Sequence, residues 1–309
     1  MLAIADFLVE YRSTFTFGLI YGLFALATYA SLWTGVLSVA PVTFGAFGGF
    51  VYAALQRDHD VSLWVGIAAG VAVGSVAALL FSFVILRLSS HYMAMATIAM
   101  VLITRVFILN LPDATGGANG TPLTRQSTLW MITLIVAVCL FVFWRLDQSR
   151  FGLAATTVHE DPAAASTLGV NTRHIQRIGF VLSGAVGGLA GVLMADQLQF
   201  IGPNTFYVDL AFTMLAAVVL GGAFHWFGAI VGAMVFRFLP EILSDYIDDG
   251  HEIANGILLV VIMIYMPRGI VDPRRRKKRE RPIWKRKSDV AEPPAADPAP
   301  TTVTEAVGS

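Results

Sequence analysis

The side chains that could do chemistry in this sequence are few, and most stand alone. His91, His159, His174, His225 and His251 are scattered singly, and neither an HExxH nor a GxSxG arrangement occurs. A hydrolytic site inside the membrane therefore lacks its usual constellation. His59 lies between Asp58 and Asp60, a cluster that could hold a metal weakly, although solvated charges in a loop account for it better, and no metal site is assigned. No G-x-x-x-x-G-K-[ST] loop is present, so energy from ATP would have to be supplied by a partner. Arg237 and Glu241 stand four apart, which places both on one helical face as a candidate buried ion pair. Asp196 and Asp209 flank the loop QFIGPNTFYV, and both are expected to reach water. Asp161 can cap a helix, Pro162 suits its first position, Ala163, Ala164 and the residues to Leu168 favour helix, and Gly169 suits the stop.

Those residues sit in a chain that is 56% hydrophobic and 14% charged, with a mean hydropathy of +0.69. Soluble domains carry roughly 25% charged residues, so the composition implies an all-α integral membrane protein. The 44 residues from Ser13 to Gln56 hold no charge, about twice what one membrane helix needs. Two crossings fit there, and further ones are expected at about 63–86, 91–109, 129–145, 178–199, 208–223, 227–246 and 252–267. That gives about nine. Leu111 to Thr128 and Asp245 to Glu252 read as polar connections on one side. Ten of the 21 basic residues lie between Arg274 and Lys287, and the positive-inside rule places them, with the Arg145 to Arg177 loop, in the cytoplasm. Their position after the last apolar run argues for lipid contact and against nucleic acid. The single Cys139 excludes a disulfide framework. The division is then a membrane domain over 1–272, a basic segment over 273–287, and a Pro, Ala and Thr tail over 288–309 expected to be disordered.

Glycines recur four apart at Gly18 and Gly22, Gly45 and Gly49, Gly66, Gly70 and Gly74, Gly184 and Gly188, Gly187 and Gly191, and Gly228 and Gly232. Such spacing lets helix backbones touch where lipid gives no hydrophobic drive, and it implies a compact bundle. Two stretches, Leu37 to Phe50 and Val218 to Gly232, interrupt apolar runs with Pro or paired Gly. They are expected to be broken or re-entrant, which makes Pro41, Thr43, Gly45, Gly221 and Gly222 candidate pathway residues.

The inner loop carries S-R-F-G and then H-E-D-P-x-A-A-x-x-L-G-V, while VVLGGAFHWFGAIVGA and YMPRGIV follow later. These segments resemble the permeases of branched-chain amino-acid ABC transporters. LRLSSHYMAMATIAMVLITRV with TGGANGTP resembles the LivM subtype. The resemblance implies a coupling loop over about 146–177 in which Arg150, Gly152, Glu160, Asp161, Pro162, Ala163, Ala164, Leu168 and Gly169 meet an ATPase. It also implies a LivH-like sister permease, two ATPase subunits that bind the ATP, and an extracytoplasmic substrate-binding protein. The chain would sit in the bacterial inner membrane with its C-terminus in the cytoplasm and need no cofactor of its own. It departs from the family at Ala155 or Thr156 and at His159, two positions where basic residues are usual, and at Ala40 and Pro41 in place of Gly-His. The competing readings are an ion-coupled secondary transporter and a related permease for urea, amides or another small solute.

Overall fold

The computed structural model describes residues 12–222 and 225–244. Its helices are α1 (Arg12–Trp33), α2 (Pro41–His59), α3 (Leu63–Ile85), α4 (Ser90–Asn110), α5 (Pro112–Thr115), α6 (Leu129–Asp147), α7 (Arg150–Glu160), α8 (Pro162–Thr167), α9 (Thr172–Leu198), α10 (Val208–Gly221) and α11 (Trp226–Ser244). A two-residue antiparallel pair, β1 (Thr121–Pro122) with β2 (Phe200–Ile201), ties the α5–α6 connection to the end of α9. The span expected at 252–267, the connection Asp245 to Glu252, the basic segment and the tail lie outside the described residues.

Among the described residues, five helices are long and apolar enough to cross a bilayer: Arg12–Trp33, Leu63–Ile85, Tyr92–Asn110, Leu129–Asp147 and Thr172–Leu198. The bent pair α10 and α11 can form a sixth span. The architecture is an all-α membrane bundle. α1 and α9 form its buried centre, and α3, α4 and α6 turn large apolar side chains outward, including Trp64, Leu80, Ile103, Phe107, Trp130 and Phe141.

Glycine explains how α2, α3 and α9 come so close. A Cβ added at Gly48 would collide with the Gly188 carbonyl, at Gly74 with the Gly184 carbonyl, and at Gly191 with the Gly45 carbonyl. Backbone therefore lies on backbone across all three helices, the packing that four-residue glycine spacing predicts. Gly228 plays the same part in the second pair, where its Cβ would stand 2.6 Å from the Gly221 carbonyl oxygen.

The first broken stretch is placed differently from expectation. Residues 41–50 form continuous helix, with Pro41 at its first turn, a position where the missing N–H of proline costs nothing. The non-helical backbone is instead Thr34 to Ala40, which is buried apart from Gly35 and Leu37. Thr34 packs on Gly179 and the Pro41 carbonyl on Gly187, two turns further along α9. The chain thus climbs about 12 Å through the bundle before α2 begins.

Candidate functional site

Both ends of the bundle are organised around α1. At one end the connection between α6 and α9 is a module of two helices with little irregular chain. α6 runs to Asp147 and α9 starts at Thr172, so the expected loop over 146–177 shortens to α7, α8 and a few linking residues. α7 has its own chemistry. Ser149 precedes it and accepts from the Gly152 amide at 3.4 Å, and a Cβ at Gly152 would strike the carbonyls of Leu146 and Asp147. The S-R-F-G motif is thus a tight corner: serine starts the helix, glycine lets it fold back on α6, and Phe151 meets the Trp33 ring edge-on at 5.5 Å.

Two further bonds fasten α7 to the end of α1. The Trp33 indole N–H donates to the Thr156 hydroxyl at 3.4 Å, and His159 Nδ1 lies 2.7 Å from the Leu32 carbonyl oxygen. A carbonyl can only accept, so Nδ1 carries the proton and is a second donor, beside the Gly35 amide at 2.9 Å, to a carbonyl at the helix C-terminus. Gly35 follows with φ +79, a backbone conformation that residues with a side chain rarely adopt, and lies against the His159 backbone. Ala155 and Val158 are fully buried on the same face of α7. His159 and Ala155 are therefore part of the α1–α7 joint.

α8 is held by the anticipated caps. The Asp161 carboxylate accepts from the amides of Ala163 at 2.8 Å and Ala164 at 3.0 Å, Pro162 opens the helix, and Gly169 closes it with φ +82. Ala165 faces inward, whereas Pro162, Ala163 and Ala164 are exposed and Leu168 is 75% exposed. Arg150, Glu160 and Asp161 are exposed on the same module, so the structure brings the expected loop residues together, with Gly152 alone turned into the packing.

The expected pathway residues fall in two groups. Pro41, Thr43 and Gly45 lie on α2 and are buried; Gly45 faces Phe24 and the Gly187 carbonyl, and the buried Thr43 hydroxyl has no hydrogen-bond partner among the described residues. Gly221 and Gly222 end α10, where Gly222 has φ +108, and the chain turns by 118° into α11. α10 is 14 residues, about 21 Å, and falls short of a hydrocarbon core of about 30 Å.

A family model described as "Branched-chain amino acid transport system / permease component" matches residues 11–266. The chain belongs to this permease family. The permease is 28% identical over 274 residues to the high-affinity branched-chain amino acid transport system permease protein LivM of Escherichia coli (strain K12), covering 77% of this chain and 64% of that protein. It therefore spans just under two thirds of the length of LivM. With the LivH permease of the same strain it shares 32% over 151 residues, 48% of this chain and 47% of LivH. With the autoinducer 2 import system permease protein LsrC of Escherichia coli O9:H4 (strain HS) it shares 30% over 180 residues, 55% of this chain and 50% of LsrC. The longer LivM match agrees with the LivM-type resemblance of the α4 region.

The other end of the permease holds what sequence reasoning missed. Asp196, expected to reach water, is fully buried. Its carboxylate accepts from the amides of Gln126 and Ser127, each at 2.9 Å, from the Ser127 hydroxyl, and from the Tyr52 hydroxyl at 3.0 Å. Gln56 adds a reciprocal pair with the Thr124 backbone, at 2.9 Å in both directions. The stretch from Leu123 to Ser127 is thereby strapped across the bundle. Asp209 is exposed, as expected. Asp58 is bound by Arg57 at 2.9 Å, and that hydrogen bond holds its carboxyl below the usual carboxylate range. Among the described residues no group of three metal-ligating side chains forms. Arg237 lies 6.0 Å over the Phe17 ring, and the Glu241 side chain is outside the described residues.

Proposed function

We propose that this permease is the membrane-spanning subunit of an ATP-driven importer for a branched-chain or related amino acid, energised by ATPase subunits that dock on α7 and α8. A LivH-like sister permease completes the pathway, an extracytoplasmic binding protein delivers the solute, and the ATPases hold the ATP. The permease sits in a bacterial inner membrane and has the α7–α8 end in the cytoplasm. Arg87, Arg145, Arg150, Arg173 and Arg177 at that end, and the basic run after the last apolar stretch, support this orientation. The solute passes near the two breaks, beside Pro41, Thr43 and Gly45 and beside Gly221 and Gly222. Non-helical backbone at membrane depth is tolerated where protein or a wet cavity satisfies it, and the unpartnered Thr43 hydroxyl is a polar group available there. The names of the relatives cover both amino acids and autoinducer 2, so the amino-acid reading follows the LivM match.

The observation that carries the proposal is the joint between the exposed, capped module and α1. A rigid pair of short helices fixed to a helix at the buried centre of the bundle passes on a rigid-body push that a loose loop would dissipate. Co-purification with the ATPase subunits alongside amino-acid uptake tests it. Ala164→Arg blocks the exposed face of α8, and Gly169→Val places a β-branched residue at φ +82 with open space around it. Both variants should reach the membrane and lose ATPase binding and uptake. Wild-type pull-down and uptake in both would show that the loop only connects two helices.

A further inference from the structure

At the strap end a cavity of about 380 Å³ opens between the first turn of α1 and the first turn of α6. Its walls carry Arg12, Ser13 and Thr16 from α1, and Arg125, Ser127 and Thr128 from the strap and the entry to α6. Two cationic side chains from distant parts of the chain thus meet in one hollow. Neither guanidinium forms an ion pair with a described carboxylate. Asp196 lies behind Ser127, but its oxygens already accept from Gln126, Ser127 and Tyr52. Arg125 is posed by a hydrogen bond to the Gln197 side-chain oxygen, and Gln197, which is buried, donates in turn to the Ser127 hydroxyl at 2.6 Å. One bond to Gln197 leaves the rest of the five-donor fork for the cavity.

The helix below adds to the same sign. Thr128 occupies the N-cap of α6 without making a side-chain cap bond, so the first amides of a 19-residue helix keep their donors and their dipole. Convergent guanidiniums, the Ser13 and Thr128 hydroxyls and the first amides of α6 are the donor set that recognises an oxyanion, since the Thr16 and Ser127 hydroxyls donate to the Arg12 carbonyl and to Asp196, and the volume falls within the range of small-ligand pockets.

We propose that this cavity binds an oxyanion headgroup, a carboxylate or a phosphate. The group can belong to a free amino acid at the mouth of the bundle or to an anionic phospholipid at the interface. This assignment stands independently of the import reading.

The test is the thermal unfolding of the purified full-length permease in maltoside micelles, followed by tryptophan fluorescence. The additions are leucine, leucinamide, phosphatidylglycerol and phosphatidylcholine. Leucine or phosphatidylglycerol should raise the midpoint, and leucinamide and phosphatidylcholine should leave it unchanged. A response to leucine identifies a free carboxylate, and one to phosphatidylglycerol a lipid phosphate. Arg125→Gln should weaken the apparent affinity about tenfold or more, and Arg125→Lys should recover part of it. Arg12→Gln, on an exposed residue outside the strap network, should weaken it similarly and keeps the test valid if Arg125→Gln misfolds. The proposal is overturned if neither anion raises the midpoint, or if both Gln variants respond with the wild-type affinity.

Discussion

The two connections flanking α6 solve opposite problems. Between α6 and α9, the loop builds α8 from neighbours in sequence: Asp161 caps the amides two and three residues on, and Gly169 ends the helix. Between α4 and α6, the strap is held by partners about 70 residues away, because Gln126 and Ser127 reach Asp196 on α9 and Thr124 reaches back to Gln56 on α2. A connection that keeps its own shape can offer exposed faces to another protein. One that depends on buried acceptors is part of the bundle it closes. The difference implies that damage to the strap should unfold the protein, and damage to the loop should leave it folded and silent.

The largest effect should come from Asp196→Ala. Removing a buried carboxylate strands two amides and two hydroxyls, which costs on the order of 3 kcal/mol or more. Folded protein recovered from the membrane should fall sharply, and a normal yield with a normal unfolding midpoint would remove the contrast. Gly152→Val should come next. Its side chain meets backbone at the α6–α7 corner, so α7 should lift from Trp33 and uptake should fall while the remaining helices stay folded. Protease sensitivity confined to residues 148–171 is the check. Tyr52→Phe removes one of the donors to Asp196 and should lower stability by about 1 kcal/mol, read as a small drop in unfolding midpoint with uptake retained. Glu160→Ala should be the mildest, with uptake within about twofold of wild type, since Glu160 is exposed and solvent screens its charge.

The same contrast explains what could be read from the residues alone. Capping is local, so Asp161, Pro162 and Gly169 announce α8 to anyone reading the chain in order. Four-residue glycine spacing announces close helix packing too, although it does not say that Gly48 and Gly74 share α9 as a neighbour. Asp196 was misread because the nearest polar loop follows it directly, whereas its donors come from Tyr52, Gln126 and Ser127. Its available signal was a lone acid on a Gly-rich apolar helix, a residue too costly in hydrocarbon to lack donors. Pro41 was misplaced for a related reason: proline both breaks helices and begins them, and only the packing of Thr34 on Gly179 shows that the break comes before it. α7 escaped notice because its start depends on a backbone corner against α6 rather than on a strong cap.

The most direct test of the loop as the docking element is a photocrosslinking amino acid placed at position 164 on α8 or at position 124 on the strap, in cells that make the complete transporter. The account predicts a crosslink from position 164 to an ATPase subunit and none from position 124. A crosslink to the ATPase from position 124, or none from position 164 in a complex that still imports, would contradict it.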